Sequence, residues 1–358
     1  RIQNNSAIYG GGIFCDSLAK PLIKECVIAN NNAVSGGGIF SNYAQPMIVD
    51  NLIANNHTTG RMGGGGIAIY NQTVLSPATM QPLLAGNVQP DPLPLHTGGL
   101  LSNVQYSQQP NPEETCSFTN SGRTFPVVMG NTISGNTSAF SGGGIVLDNN
   151  ESVIYDNAIN TNTANQDGGG ICSKSNSTYL IKWNEISDNQ AMRYGGGLFS
   201  VRCDSSELSR NLLVSNNALK GGAVFLDSCN LDFYNNTVSA NNSPQGGAGL
   251  YNNNGVIQAF NNIFWKNLPA DGTSLMGSDI IASYNDIENG FPGPWNFSVD
   301  PVFVDTTSRN FNLRFSSPCI NTGKPGSEPD PDSTNADRGV FYNPTNIGSA
   351  MIGYYTIN

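Results

Sequence analysis

Histidine is nearly missing: the 358 residues contain two, His57 and His96. That argues against a His-based catalytic triad or an imidazole-built zinc site. Charge is scarce too, since Lys, Arg, Asp and Glu make up 12% of the chain and acids outnumber bases by 26 to 16. A net charge of −10 leaves no basic stripe to grip a phosphate backbone, so nucleic acid is excluded as a partner. No apolar run approaches the ~20 residues of a membrane-spanning helix, and no segment reads as a signal peptide. Strong helix formers do not dominate, which removes the helical fold classes.

What the chain has instead is glycine, 41 residues of it, and abundant asparagine. Hydrophobic residues still reach 38% and aromatics 9%, enough to build a folded core. The glycines recur. Taking the small residue before an aliphatic as zero, the marks fall at Gly12, Gly38, Gly66, Gly144, Gly170, Gly197, Ala223 and Gly249. The gaps are 26, 28, 78, 26, 27, 26 and 26, and 78 is three times 26. In phase runs a second ladder, Asn-x-aliphatic-x-x-Asn, as in "NLIANN" from Asn51, "NTISGN" from Asn131, "NEISDN" from Asn184 and "NTVSAN" from Asn236.

A period of this length marks a solenoid, propeller or array. A propeller blade needs ~40 residues, and no stretch is amphipathic over a helical length, so both a propeller and helical repeats are out. Three short strands and three turns fit one such repeat, which is one rung of a parallel β-helix. Glycine allows the sharp corner, the following aliphatics stack inward, and Asn suits a left-handed turn while its amide bonds along the axis. The expected fold is an all-β, right-handed parallel β-helix of roughly ten rungs over residues 1–274. A Pro-rich insertion covers about 74–129, and residues 275–358 form the last irregular rungs and a C-terminal cap. Eight of the twenty prolines fall between Gly66 and Asn131, a stretch in which "TGGLLSN" (Thr97 to Asn103) could make one degenerate rung. The opening "RIQNNSAIYGGGI" is the middle of a repeat, so the chain reads as a piece of something longer.

The glycine and asparagine ladders resemble the β-helix repeats of the pectin-lyase-like superfamily, particularly large secreted or surface bacterial proteins and polymorphic outer-membrane-type repeats. "SYNDIENGFPGPWNFSVDPVFVD", "FNLRFSSPCINTG" and "DPDSTNADRG" look like the end segment of such proteins. Cys319 and Asn321 stand where that segment usually carries Ala and Asp. The resemblance implies an extracellular or cell-surface location. It is compatible with lyases, hydrolases and non-catalytic adhesins alike.

The densest charge cluster on the rungs includes Lys174, Lys182, Glu185, Arg193, Arg202, Asp204, Glu207 and Arg210. A lyase of this superfamily would use an Arg or Lys base, often with Ca²⁺, and a hydrolase would use paired carboxylates. Lys182, Arg210 and Asp204 are the catalytic candidates, and Lys174 and Arg202 the binding candidates. A solvated rim of ion pairs explains the same residues. Asp330, Asp332 and Asp337 could gather oxygen ligands for Ca²⁺, or form an Asx-rich turn. Cys203 and Cys229 should stack on neighbouring rungs, as a disulfide or as paired thiols. The expected function is a non-catalytic surface scaffold or adhesin-like module toward carbohydrate or neighbouring proteins. The alternatives are a polysaccharide lyase or other carbohydrate-active enzyme, and a self-associating filament subunit.

Overall fold

The computed structural model of the chain describes residues 1–70, 125–203, 205–268 and 274–344. One coil shows the plan. Strand Ile145–Asp148 is followed by Glu151–Tyr155, Ala158–Asn160 and Thr163–Ala164, and then Ile171–Lys174 opens the next coil beside Ile145–Asp148. The four positions build four parallel sheets, called first to fourth in that order, of nine, nine, ten and six strands. The repeat thus holds four strands rather than the three expected. The fourth is as short as "TS", "TA" or "QA", which a sequence reading cannot tell from a turn. Beyond Gln190 that sheet thins to single bridges through Asn217, Asn242 and Leu268.

The residues after the glycine mark form one inward column: Ile13, Ile39, Ile67, Ile145, Ile171, Leu198, Val224, Leu250 and Leu275. Ile67 pairs directly with Ile145, so the 78-residue gap contains no intervening rung between them, and its being three repeats long is coincidence. The segment Thr97 to Asn103 and most of the expected insertion lie outside the described residues. The helical register resumes with Val127–Met129, which joins the second sheet between Met47–Val49 and Glu151–Tyr155, so the insertion ends before 127 rather than near 129.

The triple glycine answers two crowding problems. Gly142 has φ +66°, and a Cβ there would fall on Val146 Cγ2. Its neighbour Gly143 lies so close to the next coil that a Cβ would sit 2.5 Å from the Gly169 carbonyl oxygen. An L-residue would have to strain the first position and push the coils apart at the second.

Asparagine amides bond along the axis as expected, and asparagines such as Asn30, Asn55, Asn235 and Asn261 take left-handed turns, but the ladder positions themselves do not. Along Asn51, Asn131, Asn157, Asn184, Asn211, Asn236, Asn262 and Asn285, each Oδ1 after the first accepts from the backbone N–H and the Nδ2 of the asparagine one coil earlier, and Asn51 Oδ1 accepts from Cys26 N. These bonds measure 2.8–3.1 Å. The second Nδ2 hydrogen goes to a carbonyl of the preceding coil, as from Asn184 to Ile154 O at 2.9 Å. The left-handed backbone belongs to the residue just before: Asp50, Gly130, Asp156, Trp183, Arg210, Asn235, Asn261 and Tyr284. Asparagine is there because one small amide can donate twice and accept twice in a buried stack.

The C-terminal segment does more than close an end. Asn296 continues the ladder beneath Asn285, and Ile287 N bonds Phe297 O, which closes the last coil. The chain then returns as a strap across the outer face of the third sheet. Phe311 and Val340 bury Leu212 and Val214, while Leu313 and Cys319 pack on Ile263. Polar anchors fix its path: Lys324 N to Asn261 Oδ1 at 2.7 Å, Asn235 Nδ2 to Asp337 O at 2.9 Å, and Arg309 to Asp188 at 2.5 Å.

Candidate functional site

Inward Ile154, Ile181, Leu208 and Phe233 alternate with outward Tyr155, Lys182, Ser209 and Tyr234 along the second sheet, as the period of two requires. Lys182 therefore stands on the outer face, one residue from the corner that leads to the third sheet. Arg210 occupies that corner one coil later, with φ +50°. The two candidate bases are neighbours, and Glu207 and Tyr234 complete the cluster. Glu207 Oε1 accepts from Ser209 Oγ at 2.5 Å and from the Tyr234 hydroxyl at 2.6 Å.

Arg210 is not open to a ligand. Its side chain is 5% exposed, its guanidinium lies 5.2 Å from the Trp183 ring, and Nη2 reaches Glu328 of the strap at 3.4 Å. Its Nε is buried without a hydrogen-bond partner. Burial lowers the Lys182 pKa, Glu207 opposes that shift, and the Arg210 charge adds to it. Asp232, the register partner of Glu207, has its carboxyl pKa raised by burial and by the Glu207 charge.

The other candidates do not join them. Arg202 is exposed at the opposite edge of the second sheet, before strand Ser206–Ser209, whereas Arg210 follows that strand. Asp204 lies outside the described residues. Lys174 is on the outer face of the first sheet, paired with Asp148 at 3.6 Å. Cys203 and Cys229 meet on adjacent coils as a disulfide, with Cα atoms 4.6 Å apart.

The three aspartates expected to favour Ca²⁺ are engaged by the strap's own backbone. Asp337 accepts from Asn321 N at 2.6 Å and Asn343 N at 2.7 Å, Asp330 from Asp337 N at 2.8 Å, and Asp332 from Thr334 N at 3.1 Å. Among the described residues, no group of three or more His, Cys, Asp or Glu side chains could hold a metal ion. Their arrangement is that of Asx-rich turns, each carboxylate accepting from a backbone N–H. Burial raises the Asp330 pKa to about 7, and the adjacent Asp337 carboxyl pushes the same way.

The sequence reading passed over the aromatics. Phe199, Phe225 and Tyr251 stack on the outer face of the first sheet, with centroids 5.7 and 5.1 Å apart. Their signal was legible, because all three stand two residues after the glycine mark. Tyr284 and Trp295 stack at 5.9 Å on the corner between the second and third sheets. They were hidden because the last ladder step, Asn285 to Asn296, is 11 residues rather than about 26.

With this geometry in view, comparison with family models matches residues 116–293 to one described as a right handed beta helix region. The chain is a right-handed parallel β-helix protein. The matched residues of this β-helix protein span the coils that carry Lys182, Glu207 and Arg210, and they stop short of the strap. The family describes an architecture and assigns none of these side chains a role. Comparison with curated proteins gives no match.

Proposed function

We propose that this β-helix protein is a non-catalytic scaffold, extracellular or on a cell surface, that presents its outer faces to carbohydrate or to neighbouring proteins. The observation that carries this reading is the fate of Arg210. The side chain best suited to meet a uronate is stacked on Trp183 and held under Glu328, so it fastens the strap instead of facing solvent. Residues buried for binding the chain's own tail are not available for a substrate. The Cys203–Cys229 disulfide supports an oxidising location, where such bonds persist. The test is turnover. Incubated with pectate, alginate and neutral polysaccharides, the protein should release neither unsaturated products absorbing in the ultraviolet nor reducing ends. Sustained release of either would end the scaffold reading.

One observation favours a second reading. Glu207 and Asp232 are carboxylates side by side on adjacent strands, with the Asp232 proton held more tightly than usual. Paired carboxylates are what glycoside hydrolysis uses. In that case Glu207→Gln should abolish whatever reducing-end release the wild type shows.

A further inference from the structure

The corner between the second and third sheets imposes a left-handed backbone on one residue per coil. Asp50, Gly130, Asp156, Asn235 and Asn261 are residue types that accept it readily. Trp183, Arg210, Tyr284 and Trp295 are not, with φ of 60, 50, 56 and 62°. A side chain without local hydrogen bonding is disfavoured in this region by the close approach of its Cβ to the following carbonyl oxygen. For Trp183 and Arg210 the return is visible, since they stack on each other and hold the strap. Tyr284 and Trp295 show no comparable return. Trp295 is 70% exposed and belongs to none of the buried apolar clusters, and the two rings stack on each other at 25°.

We propose that Tyr284 and Trp295 form a stacking platform for a neutral glycan, which rests on the reading of the protein as a carbohydrate-presenting scaffold. Trp295 ends the stacked corner column, so one face of its ring is free for the C–H face of a sugar. Two rings offer too little apolar area for a specific protein interface, which buries at least about 1,000 Å². The strained positions keep the rings at a fixed angle on a rigid coil, so little ordering is lost on binding. Beside them on the outer face of the second sheet, Tyr234 and Phe260 stack at 4.9 Å, and the Lys324 ammonium lies 4.7 Å over Phe260. The strap's Lys324 covers that pair, so the open aromatic surface is that of Tyr284 and Trp295. Charge selects the kind of glycan. At a net −10 the protein repels polyanions, and Glu288 stands in the same coil as Tyr284.

The experiment titrates the full chain with cellohexaose, laminarihexaose, mannohexaose and oligogalacturonate, followed by calorimetry and tryptophan emission. At least one neutral hexaose should bind and shift the emission, and oligogalacturonate should bind more weakly or not at all. Trp295→Ala should weaken the neutral ligand about tenfold or more, and Trp295→Phe, which keeps a ring, should retain most of the affinity. The melting temperature of Trp295→Ala should stay that of the wild type, because the ring is exposed. Absence of binding to every neutral probe, wild-type affinity in Trp295→Ala, or a preference for oligogalacturonate would each overturn the platform. None of these results bears on turnover, so the non-catalytic reading stands or falls separately.

Discussion

The third sheet has two halves with one backbone and two surfaces. In its early coils the outward residues include Val27, Leu52 and Thr132, with small alanines such as Ala158 buried between them, and Leu52 is 40% exposed. In its later coils they include Leu212, Val214 and Ile263, each at most 3% exposed because the strap covers them. The asparagine ladder runs through both halves with the same bond lengths, so the coil does not need the strap to form its internal hydrogen bonds. The difference lies in the outward side chains, which in the later coils are apolar enough to require a cover. One half is a solvated β-helix face, and the other is a two-layer core.

Breaking the cover should have the largest effect. Phe311→Ala removes a ring that is 2% exposed and packs on Leu212 and Val214. It should cost about 3–5 kcal/mol, whereas Leu52→Ala in the bare half should stay within ~0.5 kcal/mol. Denaturant midpoints would compare the two, and amide exchange should rise over residues 299–344 and the coils beneath them but not in the first three coils. Equal losses would mean that the halves are one cooperative surface.

The ladder should behave in the opposite way. Asn211→Ala under the strap and Asn131→Ala outside it each leave the backbone N–H and Nδ2 of the preceding asparagine and a carbonyl one coil back unsatisfied in a buried stack. Each should cost about 2–3 kcal/mol, and nearly the same amount. A large difference between them would show that the strap, not the coil, stabilises the later asparagines.

How far the sequence discloses this structure follows from the same division. Interactions that repeat every coil leave a period. The inward Ile145, Ile171 and Leu198 column and the Asn184, Asn211 and Asn236 ladder were legible because one physical need recurs at one spacing. The strap leaves none. Its anchors join residues 63 and 121 positions apart, from Lys324 to Asn261 and from Arg309 to Asp188, and each is made once. Arg210 illustrates the cost of missing it. Next to Lys182 in the rung pattern it reads as a catalytic base, and its contact with Glu328, 118 residues away, leaves no trace in that pattern. Arg202 was grouped with Arg210 by sequence proximity, and the four residues of strand Ser206–Ser209 place it at the far edge of the sheet.

Acidity should separate the halves as well. Burial raises the pKa of Asp286 and Asp330, both under or within the strap, to about 7. Their folded pKa lies above the ordinary value near 4, so the stability they contribute is complete below about pH 4 and is lost as pH rises through 7. The strap should therefore be better protected from amide exchange, corrected for intrinsic rate, at pH 5 than at pH 8. The early coils of the third sheet carry no such buried carboxyl on their outward face and should change less. Asp330→Asn should flatten the strap's dependence, and an unchanged slope would assign the effect elsewhere.

The smallest expected effect tests whether charge or packing guides the strap. Arg309 pairs with Asp188 and lies 3.7 Å from Glu185, yet its side chain remains 43% exposed. Solvent screening limits such a pair to about 1 kcal/mol or less. Arg309→Gln should lower stability by that amount at low salt and by less at high salt, while Phe311→Ala should be insensitive to salt. Arg309 sits at the hairpin turn between Phe303–Asp305 and Asn310–Leu313, against the coil that carries Glu185 and Asp188. If removing its charge cost as much as removing Phe311, the boundary between covered and bare coils would be set by electrostatics. The apolar residues point the other way: Leu212 and Val214 attract a cover, Thr132 and Ser134 do not, and the strap stops between them.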